Sequence, residues 1–303
     1  MHVTVKQLAA LLFCGATLPS LASEISYVNQ FRNLVYTQTD NVTLSAQGAF
    51  FSASTVVSGL AIATYDSGMM TIGDPNAGPS YALTSSDAGH TFGMQPPTLP
   101  SQAAMDTQFP LSSHYTFVLT GGPDSASASM DVGANNYAAA PPMLTGNSFS
   151  ALQGMDTSQP LNLAFNPFNA VPGAAAEFIF LSVYDYTTVT WLYPVGFAPR
   201  TTTGISLPAG VLAPGHNYAF ELIYSARVNP LGDGADFAPE IGFDLRTNGL
   251  FATAVPEPAT VALWLLGLAA LVSASRHRES DAVEGGRASR AQREGDGDVR
   301  KTV

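Results

Sequence analysis

Three histidines, His90, His114 and His216, lie between residues 23 and 254, and they are the natural carriers of proton transfer or metal ligation near neutral pH. None stands in an H-E-x-x-H or comparable ligand spacing, so each is predicted on a loop or at a strand edge. No G-x-S-x-G turn presents a serine nucleophile. The single cysteine, Cys14, falls in an N-terminal apolar run, which excludes disulfides, thiolate metal sites and cysteine nucleophiles from the rest of the chain. Sixteen Asp and Glu are spread over residues 23 to 254. A pair of carboxylates suffices for glycoside hydrolysis, but their separation is a three-dimensional quantity that scattered acids do not reveal.

One acidic loop has a spacing to weigh. In "NPLGDGADFAPE", Asn229 to Glu240, Asp233, Gly234 and Glu240 occupy positions five, six and twelve of an EF-hand-like loop. Leu231 sits where position three needs an oxygen ligand and no flanking helices are predicted, so an EF-hand is excluded. Asp233, Asp236 and Glu240 would still suit a looser calcium site; the plainer alternative is a solvated turn between strands. No other cofactor is implied. Trp191 and Tyr193 share one strand face and could stack on sugar rings, although aromatic residues in β-runs more often enter a core.

The elements that must position these residues are strands. In "HYTFVLTGG", Tyr115, Phe117 and Leu119 face one way, and Thr116, Val118 and Thr120 the other. "EFIFLSVYDY", Glu177 to Tyr186, is apolar on both faces, as expected of a central strand. "TVTWLY" and "NYAFELIYSARV" add two more β-rich runs, and clusters such as "GDPNAGPS", "TGGPDS" and "LAPG" punctuate them. Many short strands at this spacing predict an all-β sandwich or barrel.

In "LAPGHNYAFEL", Leu212, Pro214, Gly215 and Tyr218 form L-x-P-G-x-x-Y. A tyrosine placed so, just after a Pro-Gly turn, can return its hydroxyl to the preceding loop while its ring packs inward, the tyrosine corner of immunoglobulin-like sandwiches. On these residues, 148–252 resembles a fibronectin type III-like β-sandwich. "FPLSSHYTFVL" is a fainter echo around Tyr115. One or two immunoglobulin/fibronectin-like sandwich domains are therefore expected. The two-domain reading comprises 23–145 and 148–252, with a boundary in the Ala-Pro-rich "AAAPPMLTGN", Ala138 to Asn147.

The chain has 303 residues, of which only 12% are charged, and a net charge of −11. Between residues 23 and 254 the sixteen acids face four arginines, Arg32, Arg200, Arg227 and Arg246, and no lysine. That surface repels anionic polymers and excludes a nucleic-acid partner. The first 22 residues read as a signal peptide: Lys6, the apolar "LAALLFCGATL", then Ser20-Leu21-Ala22, with cleavage after Ala22.

At the other end, "VPEPAT" precedes "VALWLLGLAALV" and then Arg276-His277-Arg278. As a transmembrane helix, 259–275 would span roughly 26 Å, the short limit for a bilayer, and the basic stop of Arg276 and Arg278 would stay cytoplasmic. This arrangement over 255–278 resembles the PEP-CTERM sorting signal of Gram-negative bacteria, with Pro256, Glu257 and Pro258 as its sorting motif. The resemblance implies recognition by an exosortase-type processing enzyme, transient anchoring in the inner membrane, and delivery to the cell surface or exopolysaccharide matrix. About 25 residues follow Arg278, where members of the family usually stop within a few; this 279–303 tail is Gly-, Arg- and Glu-rich and reads as disordered. The expected role is a non-catalytic structural or polymer-binding one, with extracellular polysaccharide as partner. The alternative is a carbohydrate-active enzyme on a β-sandwich scaffold.

Overall fold

The computed structural model describes residues 24–58, 65–94, 98–122, 125–229, 232–233, 238–255 and 263–271. Period-two alternation runs through most of the first six of these segments, and it folds them into strands. β1 (Glu24–Gln38) and β2 (Leu44–Ser58) form a long hairpin, followed by β3 (Ser67–Ile72), β4 (Ser80–Ser85) and β5 (Thr91–Met94). A short helix α1 (Gln102–Gln108) precedes β6 (His114–Thr120) and β7 (Ala126–Asp131). A second, α2 (Ser148–Leu152), leads to β8 (Leu161–Ala164), β9 (Ala176–Asp185), β10 (Thr190–Pro199), β11 (Gly204–Leu207), β12 (Asn217–Val228), β13 (Gly232–Asp233) and β14 (Ala238–Ala252). Twelve strands pair in the order β10-β9-β12-β14-β1-β2-β5-β4-β3-β6-β7-β13, and β11 pairs with β8 in a separate ribbon.

The expected boundary in 138–147 does not divide this body. The described residues from Glu24 to Ala254 belong to one compact unit. β1 lies parallel to β14, from Tyr27 opposite Ala238 to Thr37 opposite Asn248, so the N-terminal strand completes the C-terminal sheet. The segment of the expected boundary is itself pinned. Leu144 is fully buried, and its backbone N–H and C=O both bond the buried Gln38 side chain at 2.9 and 2.8 Å. Nearby, Thr247 Oγ1 donates to the Pro142 carbonyl at 2.5 Å. A flexible hinge would leave these polar groups unsatisfied away from water.

Two layers close over the inner face of the large sheet. At one end β6 folds back over β2, where Phe51 stacks on Phe109 at 4.1 Å and on Tyr115 at 6.3 Å. At the other the β8–β11 ribbon covers β9 and β12, and Phe168 stacks on Tyr224 at 4.7 Å. Phe220, Leu222, Phe243 and Leu245 fill the space between, all buried. The chain is thus all-β with one dominant sheet, as its alternation predicts, and sandwich-like in its layering.

The tyrosine corner forms where L-x-P-G-x-x-Y places it. Tyr218 is 1% exposed, and its hydroxyl accepts from Ala213 N–H at 2.8 Å. Its fainter echo proves to be the same device: buried Tyr115 donates its hydroxyl to the Pro110 carbonyl at 2.9 Å. Both tyrosines stand second in their strands.

The helices escape a search for amphipathic stripes because they are only seven and five residues long. Ser101 caps α1 by accepting from Ala104 N–H at 3.2 Å. That helix carries Asp106 over the sheet to meet Arg32, a β1 side chain that points inward and is fully buried. Arg32 also donates to the Phe109 carbonyl at 2.7 Å.

Beyond Ala254, residues 263–271 are helical and expose Leu263, Trp264, Leu265, Leu266, Leu268 and Leu271. They are the described part of the span expected at 259–275. Among the described residues no helix is long and apolar enough to cross a membrane. The signal segment with Ala22, the motif Pro256, Glu257 and Pro258, the basic Arg276 and Arg278, and the tail lie outside the described residues.

Candidate binding face

The outer face of the large sheet is where the polar chemistry and the exposed aromatics gather. On β12 the alternation turns Phe220, Leu222 and Tyr224 inward and Ala219, Glu221, Ser225 and Arg227 outward. Register places outward residues beside outward residues on β14: Ala219 opposite Leu250, Glu221 opposite Asn248, Ser225 opposite Asp244. β9, read as central, is indeed flanked by β10 and β12. Its second apolar face is this outer one. Phe178, Phe180 and Tyr184 line it beside Phe197 and Trp191 of β10.

A chain of ion pairs runs along the face. Asp244 is 2% exposed and accepts from Arg227 Nη1 and Ser225 Oγ, each at 2.7 Å, and from Arg246 Nη2 at 3.2 Å. Arg227 also reaches Glu240 at 3.3 Å. Arg246 donates from Nε to Asn33 Oδ1 at 2.6 Å and from Nη1 to Glu221 Oε1 at 3.2 Å. Three acids around two arginines leave neither guanidinium unsatisfied, and that is the condition for burying Asp244 as a carboxylate. Gly242 makes the arrangement sterically allowed, since a Cβ there would overlap the Arg227 guanidinium and the Phe31 ring. Arg227 consequently lies over Phe31 at 4.6 Å and Phe178 at 5.0 Å.

Two hollows flank the Arg246–Glu221 bond. One, of about 470 Å³, is floored by Phe31, Phe178, Arg227 and Asp244, with Phe197 at its rim. The other, of about 520 Å³, is lined by Tyr184, Tyr186, Trp191, Glu221, Asn248 and Thr37. Trp191 is 54% exposed and Tyr186 is 55% exposed. Tyr184 packs between them, 5.1 Å from Trp191 and 4.9 Å from Tyr186. Trp191 is thus on the surface, not in the core where most strand tryptophans go; β10 is the edge strand, and its outward face meets solvent. Tyr193 lies in β10, and its side chain is outside the described residues.

The histidines lie elsewhere. His114 Nδ1 pairs with Asp131 Oδ1 at 2.9 Å, and His216 Nδ1 with Asp185 Oδ2 at 2.8 Å, while His90 sits in the turn before β5. Among the described residues neither paired imidazole bonds a serine or threonine hydroxyl. Burial opposes ionisation of Asp185, but His216 and the Thr187 and Thr188 amides outweigh it and bring its carboxyl down to about 2. Burial pushes the Tyr224 hydroxyl well above the usual phenol range. Of the acids that suit calcium, Glu240 faces Arg227, Asp233 lies in β13, and Asp236 is outside the described residues. Among the described residues no cluster of three His, Cys, Asp or Glu is placed to hold a metal ion.

An all-β body with an uncovered aromatic and polar face, joined to a separate short C-terminal unit, is the class of protein these features define. Residues 254–278 match the PEP-CTERM protein-sorting motif. That motif marks the chain for export and exosortase-mediated sorting to the cell surface. No curated protein sequence matches the chain. Among solved structures, that of the chicken CNTN1 FN1–FN3 domains is similar over 68% of this chain and 63% of its own length, with 10% identity and a TM-score of 0.24. The chain thus spans less than two thirds of that structure, and the likeness is too slight to argue from.

Proposed function

We propose that this is an exosortase-sorted surface or exopolysaccharide-matrix protein with a non-catalytic, polymer-binding role. The reading is carried by one combination: a sorting motif at 254–278 behind a β-body whose outer sheet face presents Trp191 and Tyr186 to solvent. Exposed apolar side chains are ordinary one at a time, but several gathered on one face and rimmed by polar groups, as Trp191, Tyr186, Phe197 and Leu250 are, mark an interaction surface. Exported residues carry sixteen acids against four arginines, so the partner polymer is not a polyanion. Before processing, the C-terminal segment holds the chain at the inner membrane.

The test is fractionation of the producing bacterium. The wild-type protein should appear in the surface polysaccharide fraction, with an intact mass lacking residues 1–22 and the segment beyond Pro258. Replacing Pro256, Glu257 and Pro258 by alanine should hold it in the membrane fraction. A surface form that retains the Arg-rich tail would refute the sorting part. A processed form that never accompanies polysaccharide would refute the polymer-binding part.

A further inference from the structure

We infer that the hollow beneath Trp191 is a subsite for a neutral polysaccharide chain lying across the strands; this rests on the polymer-binding reading above. Register builds two adjacent rows on the outer face. Trp191 on β10 stands opposite Tyr184 on β9, Tyr184 opposite Ala219 on β12, and Ala219 opposite Leu250 on β14. Two residues along the strands, Ser182 stands opposite Glu221, Glu221 opposite Asn248, and Asn248 opposite Thr37 on β1. The first row is apolar and aromatic. The second is a line of hydroxyl, carboxylate and amide groups.

A pyranose ring has the same division, with C–H bonds on its faces and hydroxyl groups at its edge. Its face can lie on Trp191 and Tyr184 while its hydroxyls meet Glu221, Asn248 and Thr37. From β10 to β1 the rows cross four strand spacings, roughly 19 Å at about 4.8 Å each, so several consecutive sugars fit and an extended chain suits the hollow better than a single ring.

Charge selects the class. All four arginines of residues 23–254 are already paired: Arg32 with Asp106, Arg200 with Glu177, Arg227 with Glu240 and Asp244, Arg246 with Glu221 and Asp244. A uronate or sulfated chain would meet Glu221 with no spare cation to balance it. The neighbouring hollow is a poorer platform, because Arg227 already occupies the faces of Phe31 and Phe178.

The full chain, purified in mild detergent, can be run through native gels containing hydroxyethylcellulose, dextran, galactomannan or alginate. At least one neutral polymer should retard it and alginate should not. Trp191→Ala and Tyr184→Ala should each weaken retardation by about tenfold or more, as truncation of a central aromatic anchor does. Trp191→Tyr should keep most of it, and Met69→Ala, an exposed residue on β3, should change nothing. In a Trp264→Phe background Trp191 is the sole tryptophan, and its emission should shift to the blue and saturate with added glycan. Retardation indifferent to Trp191→Ala and Tyr184→Ala overturns the subsite but leaves polymer binding standing. Retardation by alginate alone overturns the neutral class. Retardation by none of the four overturns the subsite, and absence from the native polysaccharide fraction independently overturns the wider reading.

Discussion

Tyr115 and Tyr218 make the same connection in the two halves of the chain, each hydroxyl bonding backbone five residues upstream, at Pro110 and at Ala213. Each ring is buried while its oxygen closes the loop that enters the strand, so one side chain fixes both core volume and strand entry. Tyr218→Phe should cost about 1–2 kcal/mol, because the Ala213 amide loses its acceptor while staying largely buried. Tyr115→Phe should cost a similar amount through the Pro110 carbonyl. The sites share no partner, so the double variant should show the sum to within about 0.5 kcal/mol. Tyr218→Ala adds a cavity and should cost about 3–5 kcal/mol, whereas exposed Asn217→Ala should stay within about 0.5 kcal/mol. Urea melts measure all five, and a neutral Tyr218→Phe would show that the corner bond does not contribute.

Arg32 and Asp106 give an asymmetric expectation. The arginine side chain is fully buried, while the aspartate is 32% exposed. Asp106→Ala leaves a buried guanidinium without its ion-pair partner, beside neutral groups such as the Phe109 carbonyl, and should cost about 3–5 kcal/mol. Arg32→Met keeps much of the volume and lets Asp106 turn to solvent, so it should cost less, under about 2 kcal/mol. Equal losses from the two variants would mean that desolvation of the guanidinium does not dominate this pair.

The local devices of this protein were legible, and its long-range pairings were not. L-x-P-G-x-x-Y named Tyr218, alternation named most strands, and the sorting motif lies within one short stretch. The parallel pairing of β1 with β14 joins residues more than two hundred positions apart, and no period or turn residue specifies it. Its consequence, a single body where the sequence left one or two domains open, was invisible for the same reason. Arg32 sits in "NQFRNLVY", where alternation does place it on the Leu34 side, but only the arrival of Asp106 on α1 makes that position tolerable. By residue type Trp191 could stack on a sugar ring, but a place in the core was the commoner expectation for a strand tryptophan. Its exposure depends on β10 being the edge strand, which is a property of the assembled sheet.

Gly242→Ala tests how tightly the outer-face network is built. The new methyl would meet the Arg227 guanidinium and the Phe31 ring, so Arg227 must leave the ring and loosen its bond to Asp244. The expected loss is about 1–3 kcal/mol, in the range of an overpacked site. In an Arg227→Ala background one of the two clashes disappears, so the added methyl should cost measurably less there. Strict additivity between the two substitutions would show that Arg227 does not occupy the space above Gly242.

Acid stability should report Asp185. Its carboxyl is held near 2 against an ordinary value of 3.8, so the folded state binds the proton less readily than the unfolded chain. That difference stabilises the fold fully above pH of about 4 and is lost as pH falls from there towards about 2. Asp185→Asn removes the titration and the charge that faces His216, while its amide oxygen can still accept from Thr187 and Thr188. The variant should therefore be clearly less stable than wild type at pH 6, and the gap should narrow through pH 4 and 3 and largely close near pH 2. Other carboxylates titrate in the same window, Asp40, Asp87 and Asp156 among them, but they are common to both proteins and cancel in the difference. Urea melts of both forms at pH 6, 4, 3 and 2 supply the comparison. A gap that stays constant across that range would show that Asp185 is not the group whose ionisation the fold favours.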